Sequence, residues 1–356
     1  MVTEIFAAPR AAAAHSWMPD CPCGSGCIDE GDRVGRVRMA ARIAGVAGLL
    51  LSFPVVNGLA PAGRREQVQR GYARAMLRVL GIRLSVIDNR DNPRSAGAAV
   101  DIGSIAPKPN ASRPGSGSTS GRAAKRTRFA EPAQGALIIA GHISWSDVLV
   151  LAAVQPLGFV ARADMLEWPV LGKLAVRMRV IPIERESLRK LPDVVSRLRD
   201  RLQAGDRVAA FPEGTTWCGR AYGSLRPALF QAAIDAGTPV HPVRLAYRDG
   251  NGNPCTVPAF IGDDGFTTSA ARVLRARGMV AEVVLEPREL PGSDRRDLAR
   301  RVERAVRGES SSRHGSWIEA GFTRVQDPES EVNADRPRHA KRRFPIISTL
   351  RPQNSE

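Results

Sequence analysis

The chain has 356 residues, of which 43% are hydrophobic and 5% aromatic, and its formal net charge is +16. A charge of this size indicates a negatively charged partner. The scarcity of aromatic side chains for base stacking and the lack of a helix-turn-helix, zinc-finger or RNA-binding signature argue against nucleic acid as that partner. The five cysteines are too few and too unevenly spaced for a disulfide framework, which predicts a reducing, cytosolic compartment.

The N-terminal residues 1–33 show no periodic pattern and are predicted to be disordered. They contain Cys21, Cys23 and Cys27 in the run Cys-Pro-Cys-Gly-Ser-Gly-Cys. These thiols would bind a metal only if another ligand such as His15 joined them, and their spacing is not a standard zinc pattern. We therefore interpret this run as a loop and assign no metal site.

Residues 34–81 are predicted to form membrane-associating helices. An uncharged run from Ile43 to Ala60 is just long enough to span a bilayer, but Pro54 and Asn57 are expected to interrupt it. Basic residues flank the run on both sides, which favours a helix that lies in or dips into the cytoplasmic leaflet; a buried helical hairpin is the alternative. No signal peptide is expected, because the run starts far from the N-terminus. The segment Arg70–Leu80 continues as a basic amphipathic helix.

Apolar runs alternate with helical patterns from residue 82 to 310, which predicts an α/β domain with a mostly parallel sheet flanked by helices. Within it, residues 89–134 have few apolar side chains and are interpreted as a disordered insertion, and residues 323–356 as a disordered basic tail. The predicted strands are Ile82–Ile87, Ala136–Ala140, Gly158–Ala161, Val180–Ile183, Val208–Phe211, Val240–Leu245 and Val280–Leu285, with helical patterns after Asp147 and over Leu188–Leu202.

The run Gly-His-Ile-Ser-Trp-Ser-Asp, residues 141–147, follows the second predicted strand. If His142 lies in the turn after the strand and Asp147 in the first turn of the next helix, the carboxylate folds back to Nδ1 and orients the imidazole. A histidine held in this way takes a proton from a hydroxyl at neutral pH. Neither Ser144 nor Ser146 lies in a Gly-x-Ser-x-Gly nucleophile elbow, so a substrate hydroxyl is the better attacking group. The pattern predicts direct acyl transfer.

A second run, Phe-Pro-Glu-Gly-Thr at 211–215, also follows a predicted strand, and ligands bind open α/β sheets at the carboxyl ends of strands. Further blocks are Phe159–Gly172, Ile181-Pro-Ile-Glu-Arg185 and Val240-His-Pro-Val243. In this order, the blocks resemble those of the glycerolipid acyltransferase family, typified by lysophosphatidic acid (1-acyl-sn-glycerol-3-phosphate) acyltransferase. The resemblance covers roughly residues 70–290 and implies that residues 82–310 form a glycerolipid-acyltransferase-like domain.

The resemblance implies an O-acyltransferase of phospholipid biosynthesis, in which His142 and Asp147 are the catalytic residues. His142 would deprotonate the hydroxyl of a lysophospholipid, with lysophosphatidate the first choice, as it attacks the thioester of acyl-CoA or acyl-carrier protein. These donors are co-substrates, and no cofactor is implied. The enzyme would work at the cytoplasmic face of the cell membrane, where the anionic surface also fits the positive charge of the chain.

The same resemblance assigns five residues to substrate binding. Arg162 and Arg185 would hold the acceptor phosphate. Glu213, with the backbone amides of Gly214 and Thr215, would position the acceptor head group or shape the site.

The chain departs from the family pattern after Thr215, because Thr216 and Trp217 stand where many members have an arginine that can bind phosphate. A lyso-ornithine lipid or another lipid alcohol is therefore the alternative acceptor. A non-catalytic lipid-binding or acyl-carrier-binding protein is the alternative of a different class. Cys218, next in the chain, is interpreted as a small packing residue.

Overall fold

The computed structural model describes residues 21–90, 128–131, 133–164, 172, 178–185 and 187–308. Its strands are β1 (Ile82–Asp88), β2 (Ala136–Ala140), β3 (Gly158–Arg162), β4 (Ile181–Ile183), β5 (Arg207–Ala210), β6 (Val240–Arg248) and β7 (Met279–Leu285). Its α-helices are α1 (Arg36–Leu59), α2 (Ala62–Leu80), α3 (Asp147–Val154), α4 (Leu191–Gln203), α5 (Phe230–Ala236), α6 (Phe266–Arg275) and α7 (Arg295–Arg307).

The seven strands form one sheet in the order β1-β7-β6-β2-β5-β3-β4. Every neighbouring pair is parallel except β6 and β7, which confirms the predicted mostly parallel α/β sheet. Because β2, β5, β3 and β4 are neighbours and run in the same direction, the loops that follow them leave the sheet at one edge. That edge carries the blocks that follow β2, β5, β3 and β4, whereas the block Val240-His-Pro-Val243 lies within β6.

Both faces of the sheet are covered, as the sequence of β2 requires. All five residues of this strand, Ala-Leu-Ile-Ile-Ala, have no exposed surface. Ile138 packs into one hydrophobic core with α2, α3 and α6, whereas Leu137 and Ile139 pack into a second core with α4, α5 and α7. A strand buried on both faces has a continuous apolar sequence instead of an alternating one.

Parts of the two segments that we predicted to be disordered are packed in the structure. Cys21 and Cys23, from the N-terminal segment, are buried, and so is Phe129, at the end of the insertion. The amides of Phe129 and Ala130 both donate to Oε1 of Gln155, at 2.9 and 3.3 Å. Apolar side chains at the borders of each segment allow this burial. The rest of these predictions falls on residues 1–20 and 91–127, and the predicted tail on 323–356, all outside the described residues.

Among the described residues, α1 is the one helix that is long and apolar enough to cross a membrane, by length and composition, and none of its apolar window is buried. Pro54 and Asn57 do not interrupt it as we expected. Contacts from α2 support this part of α1: the Phe53 and Tyr72 rings lie 5.2 Å apart, and the Gln69 amide donates to Oδ1 of Asn57 at 3.1 Å. Packing between the two helices compensates for the backbone hydrogen bond that proline removes.

Candidate active site

His142 lies two residues after β2, and Asp147 is the first residue of α3. The short turn between them brings Nδ1 of His142 to 2.9 Å from Oδ2 of Asp147, the arrangement predicted from the sequence. Since Asp147 accepts the hydrogen bond from Nδ1, Nε2 is the ring nitrogen that can take a proton from a substrate. The His142 side chain keeps 18% of its surface exposed, so a substrate can reach it.

Asp147 has no exposed surface and is fixed by three further donors. Its Oδ2 accepts from the backbone amides of Ile143 and Ser144, at 2.7 and 2.9 Å. Its Oδ1 accepts from the hydroxyl of Tyr247, at 2.7 Å. The carboxylate therefore has one position, and through it the imidazole has one orientation before any substrate binds.

Tyr247, in β6, is a site residue that the sequence did not reveal. Its hydroxyl also lies 2.8 Å from Oγ of Ser146. Burial and the neighbouring Asp147 carboxylate raise the pKa of Tyr247 well above its usual value, so the phenol stays protonated and able to donate. In the sequence it is one aromatic residue of a predicted strand, with nothing to connect it to the histidine motif.

Glu213 is buried directly behind the histidine loop. Its Oε2 accepts from the backbone amide of His142 at 2.7 Å, and its Oε1 binds the guanidinium of Arg307, at the end of α7. Burial raises the pKa of Glu213, and the positive charge of Arg307 opposes that rise. Because both carboxylate oxygens are bonded to the protein, the geometry favours the second role predicted for Glu213, shaping the site.

Arg307 is the second residue that sequence reasoning missed. Its guanidinium also donates to the carbonyl of Gly223 at 3.0 Å and lies over the Tyr222 ring, 4.1 Å from the ring centroid. In a chain with 52 lysines and arginines, no sequence signal separates this arginine from the solvated ones.

The His142 ring packs against Phe211 of the second motif, and the backbone around His142 is bonded to two other loops. The ring stacks on Phe211, with centroids 4.0 Å apart and an angle of 10° between the planes. The His142 carbonyl accepts from the amide of Trp217 at 2.7 Å, and the Ile143 carbonyl accepts from the amide of Phe260 at 2.9 Å. Two separate loops thus hold the backbone of the histidine in place.

Gly214 and Thr215 form the turn after Glu213. Gly214 has a φ of +78°, which favours glycine, and its amide donates to the Phe211 carbonyl at 3.1 Å. That amide therefore closes the turn, while Thr215 is half-buried beside it. Thr216, at the departure from the family pattern, donates its hydroxyl to the Phe260 carbonyl.

The two predicted phosphate-binding arginines lie at the same edge of the sheet as His142. Arg162 is the last residue of β3 and is exposed, with Nε 2.9 Å from Oδ1 of Asp164. Arg185 is half-buried and follows β4 by two residues. The four adjacent strands β2, β5, β3 and β4 thus place the histidine, the Phe-Pro-Glu-Gly-Thr turn and both arginines along one edge.

Comparison with known proteins finds a matching family model and related sequences. The family model described as Acyltransferase matches residues 122–246. Lyso-ornithine lipid O-acyltransferase from Pseudomonas aeruginosa is 38% identical over 177 residues, which cover 49% of this chain and 68% of that protein. The 1-acyl-sn-glycerol-3-phosphate acyltransferase from Neisseria gonorrhoeae is 33% identical over 179 residues, covering 50% of this chain and 70% of that protein.

Among solved structures, the crystal structure of the 1-acyl-sn-glycerophosphate acyltransferase from Thermotoga maritima aligns with a TM-score of 0.48 and 13% identity, over 81% of this chain and 99% of that one. The residues matched by the family model include His142, Asp147 and Glu213. The chain therefore belongs to the glycerolipid acyltransferase family and is an acyltransferase.

Proposed function

We propose that this enzyme transfers a fatty acyl group from a thioester, acyl-CoA or acyl-carrier protein, to the hydroxyl of a lysolipid. The observation that carries the proposal is the buried Asp147 carboxylate bound to Nδ1 of His142, with 18% of the His142 side chain exposed to substrate. Nε2 of His142 takes the proton as the acceptor oxygen attacks the thioester carbonyl. The new carbon–oxygen bond forms, the carbon–sulfur bond breaks, and the imidazolium returns its proton to the leaving thiolate.

The first candidate acceptor is lysophosphatidate. In support, Arg162 and Arg185 lie at the ends of β3 and β4, on the same edge of the sheet as the histidine loop, where their charges suit a phosphate. The relative from Neisseria gonorrhoeae is named for this acceptor. Glu213 shapes the site by holding the backbone of His142.

The second candidate is a lyso-ornithine lipid, and one observation favours it. Thr216 stands where many members of the family have an arginine, and its hydroxyl is bonded to the Phe260 carbonyl. The relative from Pseudomonas aeruginosa is named for this acceptor. Both candidates need the same chemistry at His142 and differ in the head group only.

We further propose that α1 attaches the enzyme to the anionic cytoplasmic face of the membrane. Leu51, Val55 and Leu59 are 78%, 60% and 80% exposed on this helix. Their spacing of four residues places them on one side of α1, and exposed apolar patches of this kind mark interaction surfaces. Both substrates then meet the site from one surface, which favours their reaction.

The test is an acyl-transfer assay with labelled acyl-CoA and acyl-carrier protein against lysophosphatidate and a lyso-ornithine lipid. His142→Ala and Asp147→Asn are expected to lower the rate by about 10² to 10⁴-fold, the size of general-base catalysis, while thermal unfolding shows that both variants are still folded. Asp193→Asn is the matched control, because Asp193 is exposed in the first turn of α4.

Histidine-dependent product from lysophosphatidate would support the first acceptor, and product from the lyso-ornithine lipid alone would support the second. If no donor and acceptor pair gave product, while wild type and His142→Ala bound vesicles equally well, the proposal would fail in favour of a non-catalytic lipid-binding role.

A further inference from the structure

Three cysteines from opposite halves of the sequence meet beside the active-site loops. Cys23 and Cys27 belong to the N-terminal segment, and Cys218 follows the turn at residues 211–215. The sulfur atoms of these three residues all lie within 4.8 Å of one another. Cys21 lies outside this group of three but is buried beside Cys23, and its sulfur accepts from the amide of Cys23 at 3.4 Å.

We propose that Cys23, Cys27 and Cys218, with Cys21 as the fourth ligand, bind one Zn²⁺ or a similar thiophilic divalent ion. A tetrahedral site with zinc–sulfur bonds of about 2.3 Å places its sulfurs about 3.8 Å apart. The three cysteine sulfurs, all within 4.8 Å of one another, are close to that distance. Thiolate sulfur is also the ligand type that selects such metals over magnesium or calcium.

The backbone around Cys218 supports a thiolate at this position. The backbone amides of Arg220 and Ala221 lie close to the Cys218 sulfur, where their dipoles favour a thiolate. Gly219, with a φ of +87°, makes the sharp turn that directs these amides back towards the sulfur. The amide of Cys218 donates in turn to the sulfur of Cys23. Hydrogen bonds of this kind orient metal ligands.

A redox disulfide fits these thiols less well than a metal does. All five cysteines are free thiols, and the sulfurs of Cys23, Cys27 and Cys218 meet as a group of three instead of a pair. A disulfide joins two sulfurs, whereas one metal ion can bind all three. A divalent ion instead displaces the protons and supplies the charge that stabilises buried thiolates.

The site would fasten the N-terminal segment to the loop that supports the histidine. Trp217, next to Cys218, donates its amide to the His142 carbonyl at 2.7 Å. Arg220 and Asp29 join the same two segments by an ion pair of 2.6 Å. Four thiolates leave no open coordination position, so the metal would act structurally and take no part in acyl transfer.

The test measures metal directly in the full chain, purified under reducing conditions. Mass-spectrometric metal analysis is expected to find one zinc ion per chain. Replacement by Co²⁺ is expected to give the thiolate-to-cobalt charge-transfer band and the intense visible bands of tetrahedral cobalt. Cys23→Ser and Cys218→Ser are expected to lose both signals. Cys255→Ser is the matched control, since this half-buried cysteine lies outside the cluster.

The proposal is overturned if wild-type protein, reduced and supplied with Zn²⁺, retains no stoichiometric metal, or if Cys255→Ser loses it as completely as Cys218→Ser. Retention of the metal with unchanged affinity in Cys21→Ser would remove Cys21 from the ligand set. The cobalt spectrum of the wild-type protein tests the proposal even if the cysteine variants do not fold. None of these measurements uses acyl transfer, so failure of the metal site and failure of the proposed function remain distinguishable.

Discussion

Asp147 fixes the orientation of His142, and the protein fixes Asp147 in turn. Two of the donors to its carboxylate are the amides of Ile143 and Ser144, within the motif itself. These contacts follow from the spacing of the motif, because a turn of this length directs its amides at the first residue of the helix. The donor from Tyr247 does not follow from local sequence, since β6 supplies it from a hundred residues further on.

We predict that Tyr247→Phe lowers both activity and stability. The substitution removes the hydroxyl 2.7 Å from Oδ1 of Asp147 and leaves a buried carboxylate oxygen without this donor. The expected cost is about 1 to 3 kcal/mol of unfolding free energy, measured by urea denaturation. The kcat for acyl transfer is expected to fall at least about tenfold, which corresponds to about 1.4 kcal/mol of activation free energy.

Tyr72→Phe is the matched control for Tyr247→Phe, because it removes a hydroxyl bonded to Ser52 on the helix pair, at 3.1 Å, and leaves Asp147 untouched. Its kcat is expected to equal that of wild type. An unchanged kcat in Tyr247→Phe would show that Asp147 keeps its position without the phenol.

At the scale of elements, α7 joins the active site to the second hydrophobic core. Its Leu298, Val302 and Val306 are buried at intervals of four residues, and the helix ends at Arg307, which reaches Glu213. Glu213 thus connects two elements, the loop after β2 and the end of α7. This structural role explains why Glu213, a charged residue in one of the family's sequence blocks, is only 3% exposed.

We predict that Arg307→Met destabilises the fold and disturbs the site. It leaves the buried Glu213 carboxylate without its cation, and loss of one partner of a buried pair costs about 3 to 5 kcal/mol. The free energy of unfolding, measured in urea, is expected to fall by about this amount, and acyl transfer is expected to fall with it because Glu213 holds the His142 amide.

Arg304→Met is the control in the same helix, since Arg304 is exposed. The double variant Glu213→Gln/Arg307→Met removes the unpaired charge, so it is expected to be more stable than Arg307→Met alone. Such non-additivity is expected for two residues in direct contact. Equal losses in the Arg304 and Arg307 variants would contradict the assigned ion pair.

The elements could be predicted from sequence to different degrees. Each strand was predicted to within a few residues, because a short apolar run between turn residues is a local signal. The antiparallel pairing of β6 with β7 was not predicted, since local sequence does not encode which neighbour a strand pairs with. α7 was also not predicted, because eight charged residues, six of them arginine, surround its few apolar positions in the 13-residue helix.

At the scale of the molecule, the predictions that failed concern contacts between distant parts of the chain. The apposition of Cys23 and Cys27 with Cys218 exists only once the sheet has formed. The burial of Phe129 depends likewise on Gln155, at the end of α3. The catalytic motif was predictable because its partners lie within five residues of each other, whereas its supporting contacts come from the whole fold.

The exposed side of α1 allows a prediction about the whole enzyme. Leu51, Val55 and Leu59 contribute little to folding, so the triple serine variant is expected to keep the thermal stability of wild type. A fully buried side chain of this type contributes about 1.5 to 3 kcal/mol, so removal of three is expected to weaken binding to anionic vesicles at least about tenfold. Co-sedimentation with vesicles measures this loss directly.

Leu290→Ser is the control for the α1 variant, because Leu290 is 66% exposed and lies outside α1. It is expected to sediment with vesicles as wild type does. Activity towards a lysolipid dispersed in detergent is expected to survive the triple variant, because His142 and its supports lie on other elements. Unchanged vesicle binding would show that the membrane contact is made elsewhere, and loss of activity in detergent as well would show that α1 supports the site itself.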